Sequence, residues 1–249
     1  MEKECSIQTE KQKDIQENEE SVQEKKEIKK EPLYVMRETV SEKDMVKEAS
    51  LKYASKRQGE YTLEDYYALP DDQRVELIDG VIYDMAAPNM AHQTAATEIT
   101  FQLKNYINSH GGKCFAYSAP VDVQLDCDDR TMVQPDVLVI CDRDKIIKRC
   151  VYGAPDLVIE ILSPSSERKD LTIKLAKYIG AGVREYWVID LRLEKVIVYD
   201  IEHNCRTAIY GMDKHVPVQI FGGDCQISFA GIMEMVRSIL NSPEPDENE

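Results

Sequence analysis

The sequence predicts an α/β fold in which a mixed central sheet is flanked by helices. Residues 91–191 follow the order helix, three strands, helix, strand, which is typical of a sheet with helices packed on its faces. Two of these strands, residues 132–140 and 157–162, are apolar almost throughout, as expected for strands that are covered on both sides. A chain of 249 residues is also long enough to bury a hydrophobic core.

Composition divides the chain into three regions. Residues 1–58 are rich in Glu, Lys and Gln and nearly free of aromatic residues, which predicts a charged arm that is disordered or partly helical. Residues 59–241 carry the periodic pattern of a folded domain, and residues 242–249 form a short acidic tail. The arm is the segment that could recruit an unknown protein partner.

The first elements of the domain are marked by capping and turn residues. Thr62-Leu63-Glu64-Asp65 has the spacing of a capping box and predicts the start of a short helix. Residues 74–85 predict a hairpin, because Asp79-Gly80 suits the type I′ turn between two apolar runs. A helix is predicted over residues 91–109, where apolar residues recur at helical spacing before Gly111-Gly112.

Similar signals place the remaining elements. Asp170 is a candidate N-cap for a second helix, which Gly180 and Gly182 would end. The other predicted elements are a strand at 121–125, strands at 185–191 and 196–201, a strand near 216–221 and a final helix at 230–240.

The charge balance limits the class of function. The chain has 46 acidic and 31 basic residues and a net charge of −15, which argues against a constitutive, tight nucleic-acid binder. A nuclease can still be acidic, because metal-binding carboxylates add negative charge that bound cations offset locally.

Cysteine usage and hydropathy predict the compartment. Seven cysteines are scattered singly without a CxxC pair, so a zinc site is not expected and reduced cysteines are favoured over a disulfide framework. The N-terminus lacks the apolar segment of a signal peptide, and no apolar run reaches the roughly 20 residues of a membrane span. The sequence therefore predicts a cytoplasmic protein without a membrane partner.

Two carboxylates stand out because each interrupts an apolar strand. Asp136 lies in Val133-Gln134-Pro135-Asp136-Val137, and Glu160 lies in Leu157-Val158-Ile159-Glu160-Ile161. Burying a carboxylate is costly unless it is paired, protonated or bound to a metal. Each residue could instead reach solvent at a strand end or pair with Lys or Arg. Together they indicate a site for Mg²⁺, which takes one or two carboxylates plus water and phosphate oxygens.

Other candidates near these acids remain ambiguous on pattern alone. Lys174 shares a helix face with Asp170, so it is either a catalytic lysine or one half of an ordinary i,i+4 ion pair. Lys177, one turn later, is an equally good candidate for the catalytic lysine. Glu76 could be a third acid at the metal, although the strand pattern favours a solvent-facing residue. His92, at the start of the long helix, is more typical of a surface or capping residue than of a catalyst.

An ordered series of segments resembles the Uma family of bacterial restriction-endonuclease-like proteins, which have the PD-(D/E)XK nuclease fold. The resemblance covers about residues 61–199. Its segments, in chain order, are Tyr61-Thr62-Leu63-Glu64-Asp65-Tyr66, Glu76-Leu77-Ile78-Asp79-Gly80, His92, Gln134-Pro135-Asp136, residues 153–165, the helix positions Asp170, Lys174 and Tyr178, and residues 182–190.

The resemblance implies a restriction-endonuclease-like domain and assigns roles in its site. Asp136 corresponds to the Asp of the first half-motif and Glu160 to the acid of the second, so both should bind Mg²⁺ or Mn²⁺. The backbone carbonyl of Ile161 would be a further ligand, and Glu76 matches an acid that lies near the metal in other members of the superfamily.

The sequence departs from the superfamily motif at one position. Leu162 occupies the place where the motif has lysine, and leucine cannot orient a nucleophilic water. In this family the lysine moves to the following helix, which selects Lys174 over Lys177. The resemblance thus implies a catalytic set of Glu76, Asp136, Glu160 and Lys174.

The implied activity is metal-dependent hydrolysis of phosphodiester bonds in nucleic acid, with DNA as the expected substrate. Cleavage of two strands would favour a homodimer. Two other functions stay open at the level of sequence. A weakly active or inactive member of the fold could act as a binding or scaffold module. A phosphohydrolase of small nucleotides would suit the acidic surface but has no motif in its support.

Overall fold

A six-stranded mixed sheet forms the centre of the folded region. The computed structural model describes residues 56–70, 72–164 and 166–243, so most of the predicted arm and of the acidic tail lies outside the described residues. The described helices are α1 Leu63–Tyr67, α2 Met90–Ser109, α3 Glu167–Lys169, α4 Leu175–Ala181 and α5 Ala230–Leu240. A π-helical segment, Asp170–Lys174, joins α3 to α4.

The described strands confirm the predicted fold class. In chain order they are β1 Val75–Ile78, β2 Val81–Asp84, β3 Phe115–Ser118, β4 Val123–Gln124, β5 Val137–Ile140, β6 Val151–Tyr152, β7 Leu157–Ile161, β8 Glu185–Asp190, β9 Lys195–Asp200, β10 Arg206–Gly211, β11 His215–Pro217 and β12 Gln226–Ser228. The central sheet has the order β10-β9-β8-β7-β5-β3, and only its β7–β8 pair is parallel.

Side-chain alternation divides the core between the two faces of the sheet. On β7, Ile159 and Ile161 pack into a cluster with α2 and α5, whereas Val158 packs into a second cluster with Tyr178 of α4. Glu160 alternates onto the face of Val158 and so points toward the helical segments. Because side chains alternate along β7, its one carboxylate points toward α4 and the π segment.

The hairpin of β1 and β2 fixes the position of Glu76. Asp79 and Gly80 have φ values of 51° and 77°, which confirms the prediction of a turn with two left-handed residues. The register pairs Glu76 with Tyr83 and Ile78 with Val81. The Gly80 carbonyl accepts hydrogen bonds from the backbone of Gly59 and Tyr61, which ties the turn to the preceding segment.

We expect Gly80→Ala to destabilise the fold by about 2 kcal/mol or more, because left-handed strain adds to overlap with neighbouring atoms. A Cβ at Gly80 would lie 2.6 Å from the Gly59 carbonyl oxygen. Gly222→Ala is the matched control, since φ is 68° there and nothing lies within 4 Å of the added Cβ. Urea unfolding checks this: equal losses for both variants would show that the contact to Gly59 has no effect.

Some predicted strands are shorter than the apolar pattern implied. Residues 132–140 were predicted as one strand, but β5 begins at Val137. Before it, Met132 and Val133 form isolated bridges to Leu77 and Val123. The strand predicted near 216–221 is wrong in its second half, where Gln219–Phe221 form a 3-10 helix. Strands β3, β6, β10 and β12 were missed.

The prediction of isolated, reduced cysteines is wrong for one pair. Cys114 and Cys141 form a disulfide, with Cα atoms 3.9 Å apart. The pairing of Phe115 with Ile140 brings the two cysteines opposite one another at the end of the β3–β5 ladder. That pairing is a tertiary contact, so the spacing of 27 residues did not reveal it. Among the residues described, no helix combines the length and apolar character needed to cross a membrane.

Candidate active site

All four side chains of the predicted catalytic set line one cavity of about 470 Å³. The same cavity is lined by Ile161 and by six charged or titratable residues that were not assigned to the site: Arg74, Asp84, His92, Lys169, Asp170 and Arg192. β1 supplies Glu76, β7 supplies Glu160, and the helical segments supply both lysines. Asp136 lies directly before β5.

Lys174 is the centre of a buried ion cluster. Its Nζ lies 2.7 Å from Oε1 of Glu76 and 2.7 Å from Oε1 of Glu160, and 3.6 Å from Oδ1 of Asp170. The side chain is only 3% exposed. Burial alone would lower the pKa of Lys174, but the three carboxylates raise it well above its usual value. Lys174 is therefore an ammonium ion that holds carboxylates from two separate strands.

The alternative candidate, Lys177, lies at a different place. Its Nζ is 2.8 Å from Oδ1 of Asp79 and also pairs with Asp126. Neither acid lines the cavity that contains Glu160. The structure thus brings Lys174, and not Lys177, to the predicted metal-binding acids.

Glu76 is fully buried, so the expectation of a solvent-facing strand residue is wrong. Each of its oxygens has a lysine partner: Lys174 on Oε1 and, at 2.6 Å, Lys169 on Oε2. The backbone N–H of Gln134 donates a further hydrogen bond to Oε1 over 3.0 Å. Burial would raise the pKa of Glu76, but the two lysines lower it overall, so this acid is held as a carboxylate.

The π segment explains why two lysines five positions apart reach one carboxylate. In a regular α-helix, residues five apart point about 140° away from each other. The wider π turn, with its i→i+5 hydrogen bonds, brings Lys169 and Lys174 toward the same side. The predicted N-cap role of Asp170 is wrong for the same reason: the helical run starts at Glu167, and Asp170 opens the π segment.

Glu160 has both a cationic neighbour and several acidic neighbours. The Tyr178 hydroxyl donates a hydrogen bond of 2.7 Å to Oε1 of Glu160. Burial raises the pKa of Glu160 well above its usual value; the charge of Lys174 opposes this rise, whereas Asp170, Asp136 and Glu76 add to it. A bound cation would relieve this surplus of negative charge.

Asp136 faces Glu160 across the strand pair. Val137 pairs with Ile159, and continuing that antiparallel register by one residue sets Asp136 opposite Glu160. The backbone N–H of Ile161 donates to Oδ2 of Asp136 over 2.7 Å, which orients the carboxylate. The two acids that sequence patterns singled out separately therefore belong to one site.

His92 also belongs to the site, so the expectation of a surface residue is wrong. Its backbone N–H bonds to the N-cap Asn89, but the side chain is only 15% exposed and its Nε2 lies 3.0 Å from Oδ2 of Asp136. Burial would lower the pKa of His92, but Asp136 and the Ile161 carbonyl raise it overall. The Ile161 carbonyl, a predicted metal ligand, thus lies beside the His92 ring.

The residues fit a divalent cation in composition. Five carboxylates and two lysines line the cavity, and Oδ1 of Asp170 is buried without a hydrogen-bond partner in the described part of the chain. The described residues contain no group of three His, Cys, Asp or Glu side chains gathered as a metal site. Asp136, Glu160 and the Ile161 carbonyl would hold the ion, which suits Mg²⁺ because Mg²⁺ retains several water ligands.

The fold and site define a restriction-endonuclease-like domain: a mixed sheet carries two acids on adjacent strands, and the next helical run brings a lysine to them. A profile of the Uma2 family, described as "Putative restriction endonuclease", matches residues 63–227. This chain belongs to that family.

Two known proteins illustrate the similarity. An "Uncharacterized protein slr1290" from Synechocystis sp. is 30% identical over 118 residues, which cover 46% of this chain and 60% of that protein. A crystal structure of a "putative nuclease belonging to DUF820" from Anabaena variabilis superposes with a TM-score of 0.57. It covers 70% of this chain and 98% of its own, at 21% identity, and so supports the fold.

Proposed function

We propose that this chain is a metal-dependent endonuclease that hydrolyses phosphodiester bonds in nucleic acid. One observation carries the proposal: Lys174 and the carboxylates of Glu76 and Glu160 are buried together in the cavity that Asp136 also lines. Replacing such buried ion pairs by apolar residues is often neutral or stabilising, so stability alone does not explain why a protein would keep them. Perturbed titratable groups that converge in a cavity mark a functional site.

Each residue has a role that follows from its contacts. Asp136 and Glu160 would hold the metal ion, which supplies charge to a phosphate oxygen and lowers the pKa of a water. Lys174 keeps Glu160 and Glu76 in place and remains protonated, so it acts through its charge and not as a base. In hydrolysis, the attacking water releases a proton to solvent and its oxygen bonds to phosphorus, while the bond from phosphorus to one sugar oxygen breaks and that oxygen takes a proton from solvent.

We propose that the substrate is DNA. The bound metal ion would offset the repulsion between the acidic protein and the DNA phosphates. The net charge of −15 disfavours non-specific binding to a polyanion. Binding should therefore depend on local cations in the cleft. Cleavage of both strands would need a second site, and a homodimer is the simplest source of one.

Metal removal provides the first test. The purified full chain should cleave plasmid or single-stranded DNA in Mg²⁺ or Mn²⁺, and excess EDTA should abolish cleavage, because the acids alone cannot offset the charge on phosphate. Gel electrophoresis of the products measures this, and re-adding Mn²⁺ should restore it. Equal cleavage with and without EDTA would rule out the metal-dependent mechanism.

A second candidate, a binding module without catalysis, is favoured by the internal pairing of the site. Lys174 and Lys169 already satisfy both oxygens of Glu76, and Leu162 replaces the motif lysine. Calorimetric titration with Mn²⁺ discriminates between the two functions. An enzyme should bind Mn²⁺ with an affinity that depends on Asp136, whereas the binding module would show no heat from this site and no cleavage.

A further inference from the structure

The two lysines of the site differ in what they can touch. Lys174 is 3% exposed; its Nζ lies 2.7 Å from Glu76 and from Glu160 and 3.6 Å from Asp170. Lys169 is 15% exposed and has one carboxylate partner, Glu76, at 2.6 Å. Among the described residues, Lys169 also contacts the ring of Tyr83, whose centroid lies 5.4 Å from Nζ. Lys169 is therefore accessible to a ligand in the cavity, whereas Lys174 is enclosed by carboxylates and almost inaccessible.

Arg74 is the other cation of the cavity that is available to a ligand. It lies two residues before Glu76, directly before β1. Its Nη2 contacts Oε1 of Gln134 at 3.4 Å, and it forms no ion pair with any described residue. Arg192, which also lines the cavity, is already paired with Glu167 and Asp190. Arg74 thus has no ion pair among the described residues, although five carboxylates line the cavity.

Glu76 and Gln134 connect the two cations. Lys169 bonds to Oε2 of Glu76, the backbone N–H of Gln134 bonds to Oε1, and the side chain of Gln134 accepts from Arg74. The Gln134 amide is itself held, because its Nε2 donates to Oδ1 of Asp122 over 2.8 Å. Lys169 and Arg74 are thus joined through Glu76 and Gln134, and both line the same cavity.

We propose that Lys169 and Arg74 form a phosphate-binding subsite that grips the nucleic-acid backbone at the cavity, while Lys174 is a positioning residue that never contacts substrate. The inference rests on the proposed function and names the residues that would contact its substrate. Arginine and lysine suit this task, because guanidinium can bind phosphate through two N–H donors and ammonium acts as a point charge.

Oligonucleotide binding tests this subsite separately from cleavage. The probe is a short fluorescein-labelled single-stranded DNA in Ca²⁺, a hard cation that carboxylates bind, with anisotropy measured over a range of salt concentrations. Loss of one phosphate contact lowers the slope of log affinity against log salt by about 0.7. Lys169→Gln and Arg74→Gln should each lower the slope by that amount and the affinity by about tenfold. The double variant should lose both contributions.

Two further variants separate this role from a structural one. Lys169→Arg should retain the slope, since the charge is kept. Lys177→Gln is the matched control: it lies on the same helical run with a 19% exposed side chain, but it pairs outside the cavity. Unchanged slopes in Lys169→Gln and Arg74→Gln, or an equal loss in Lys177→Gln, would overturn the subsite.

The outcomes also distinguish this inference from the proposed function. Wild-type protein that binds the oligonucleotide through Lys169 and Arg74 but cleaves nothing in Mn²⁺ would support the subsite and contradict the endonuclease. Wild-type protein that cleaves DNA while Lys169→Gln and Arg74→Gln bind normally would contradict the subsite alone. Absence of binding even at low salt would overturn both.

Discussion

Replacing Lys174 by methionine should destabilise the protein by about 3–5 kcal/mol, because the change leaves buried carboxylates without their cation. Glu76, Glu160 and Asp170 all contact or face this ammonium, and each is nearly inaccessible to solvent. For a domain of this size the loss corresponds to a fall in the melting temperature of roughly 10 °C. Thermal unfolding followed by circular dichroism measures it.

The loss in Lys174→Met should depend on pH in a defined direction. The pKa values of Glu160 and Asp170 are already raised above their usual values, and removing the ammonium raises them further and also raises the pKa of Glu76. The native state of the variant then binds more protons than the unfolded state. Stability then falls as pH rises above about 4, the ordinary value for these acids. The variant should be closest to wild type near pH 5 and weakest near pH 8.

Lys177→Met is the control for this prediction. Lys177 lies on the same helical run, but its partner Asp79 is exposed, and such pairs contribute at most about 1 kcal/mol. If Lys174→Met melted at the wild-type temperature at pH 8, the buried ion cluster would not exist as described.

Asp136→Asn should lower both Mn²⁺ affinity and DNA cleavage by more than about a hundredfold. Removing a residue that only contacts a metal ligand typically lowers metal affinity or activity by about 10–100-fold. Removing a direct ligand should lower them further. Asparagine can still accept the hydrogen bond from the Ile161 N–H, so the fold should survive. Calorimetry with Mn²⁺ and a cleavage assay give two independent measurements.

Glu185→Gln is the matched control for the loss of a buried carboxylate. Glu185 begins β8, next to β7, but it bonds to Trp187 and to the backbone of Ile220 and does not line the cavity. Its substitution should leave cleavage near the wild-type rate. Glu160→Gln should reproduce the losses of Asp136→Asn. Full activity in both cavity variants would contradict the assignment of the site.

Local sequence patterns determined much of the architecture. The capping box, the Asp79-Gly80 turn and the Gly182 helix end are all short-range devices, and the structure has each of them. The predicted mixed sheet is confirmed for a related reason: continuous apolar strands must be covered on both faces. Asp136 and Glu160 were conspicuous because a carboxylate in such a strand needs a partner.

Only the tertiary structure decided which residues meet. The π segment brings Lys169 beside Lys174, and no propensity in residues 167–181 predicted that change of helical period. The burial of Glu76 and the turn of His92 toward Asp136 depend on elements that are distant in sequence. The Cys114–Cys141 bond likewise follows from the β3–β5 pairing. Sequence periodicity sets which face of an element a residue occupies, whereas packing between elements sets what that face contacts.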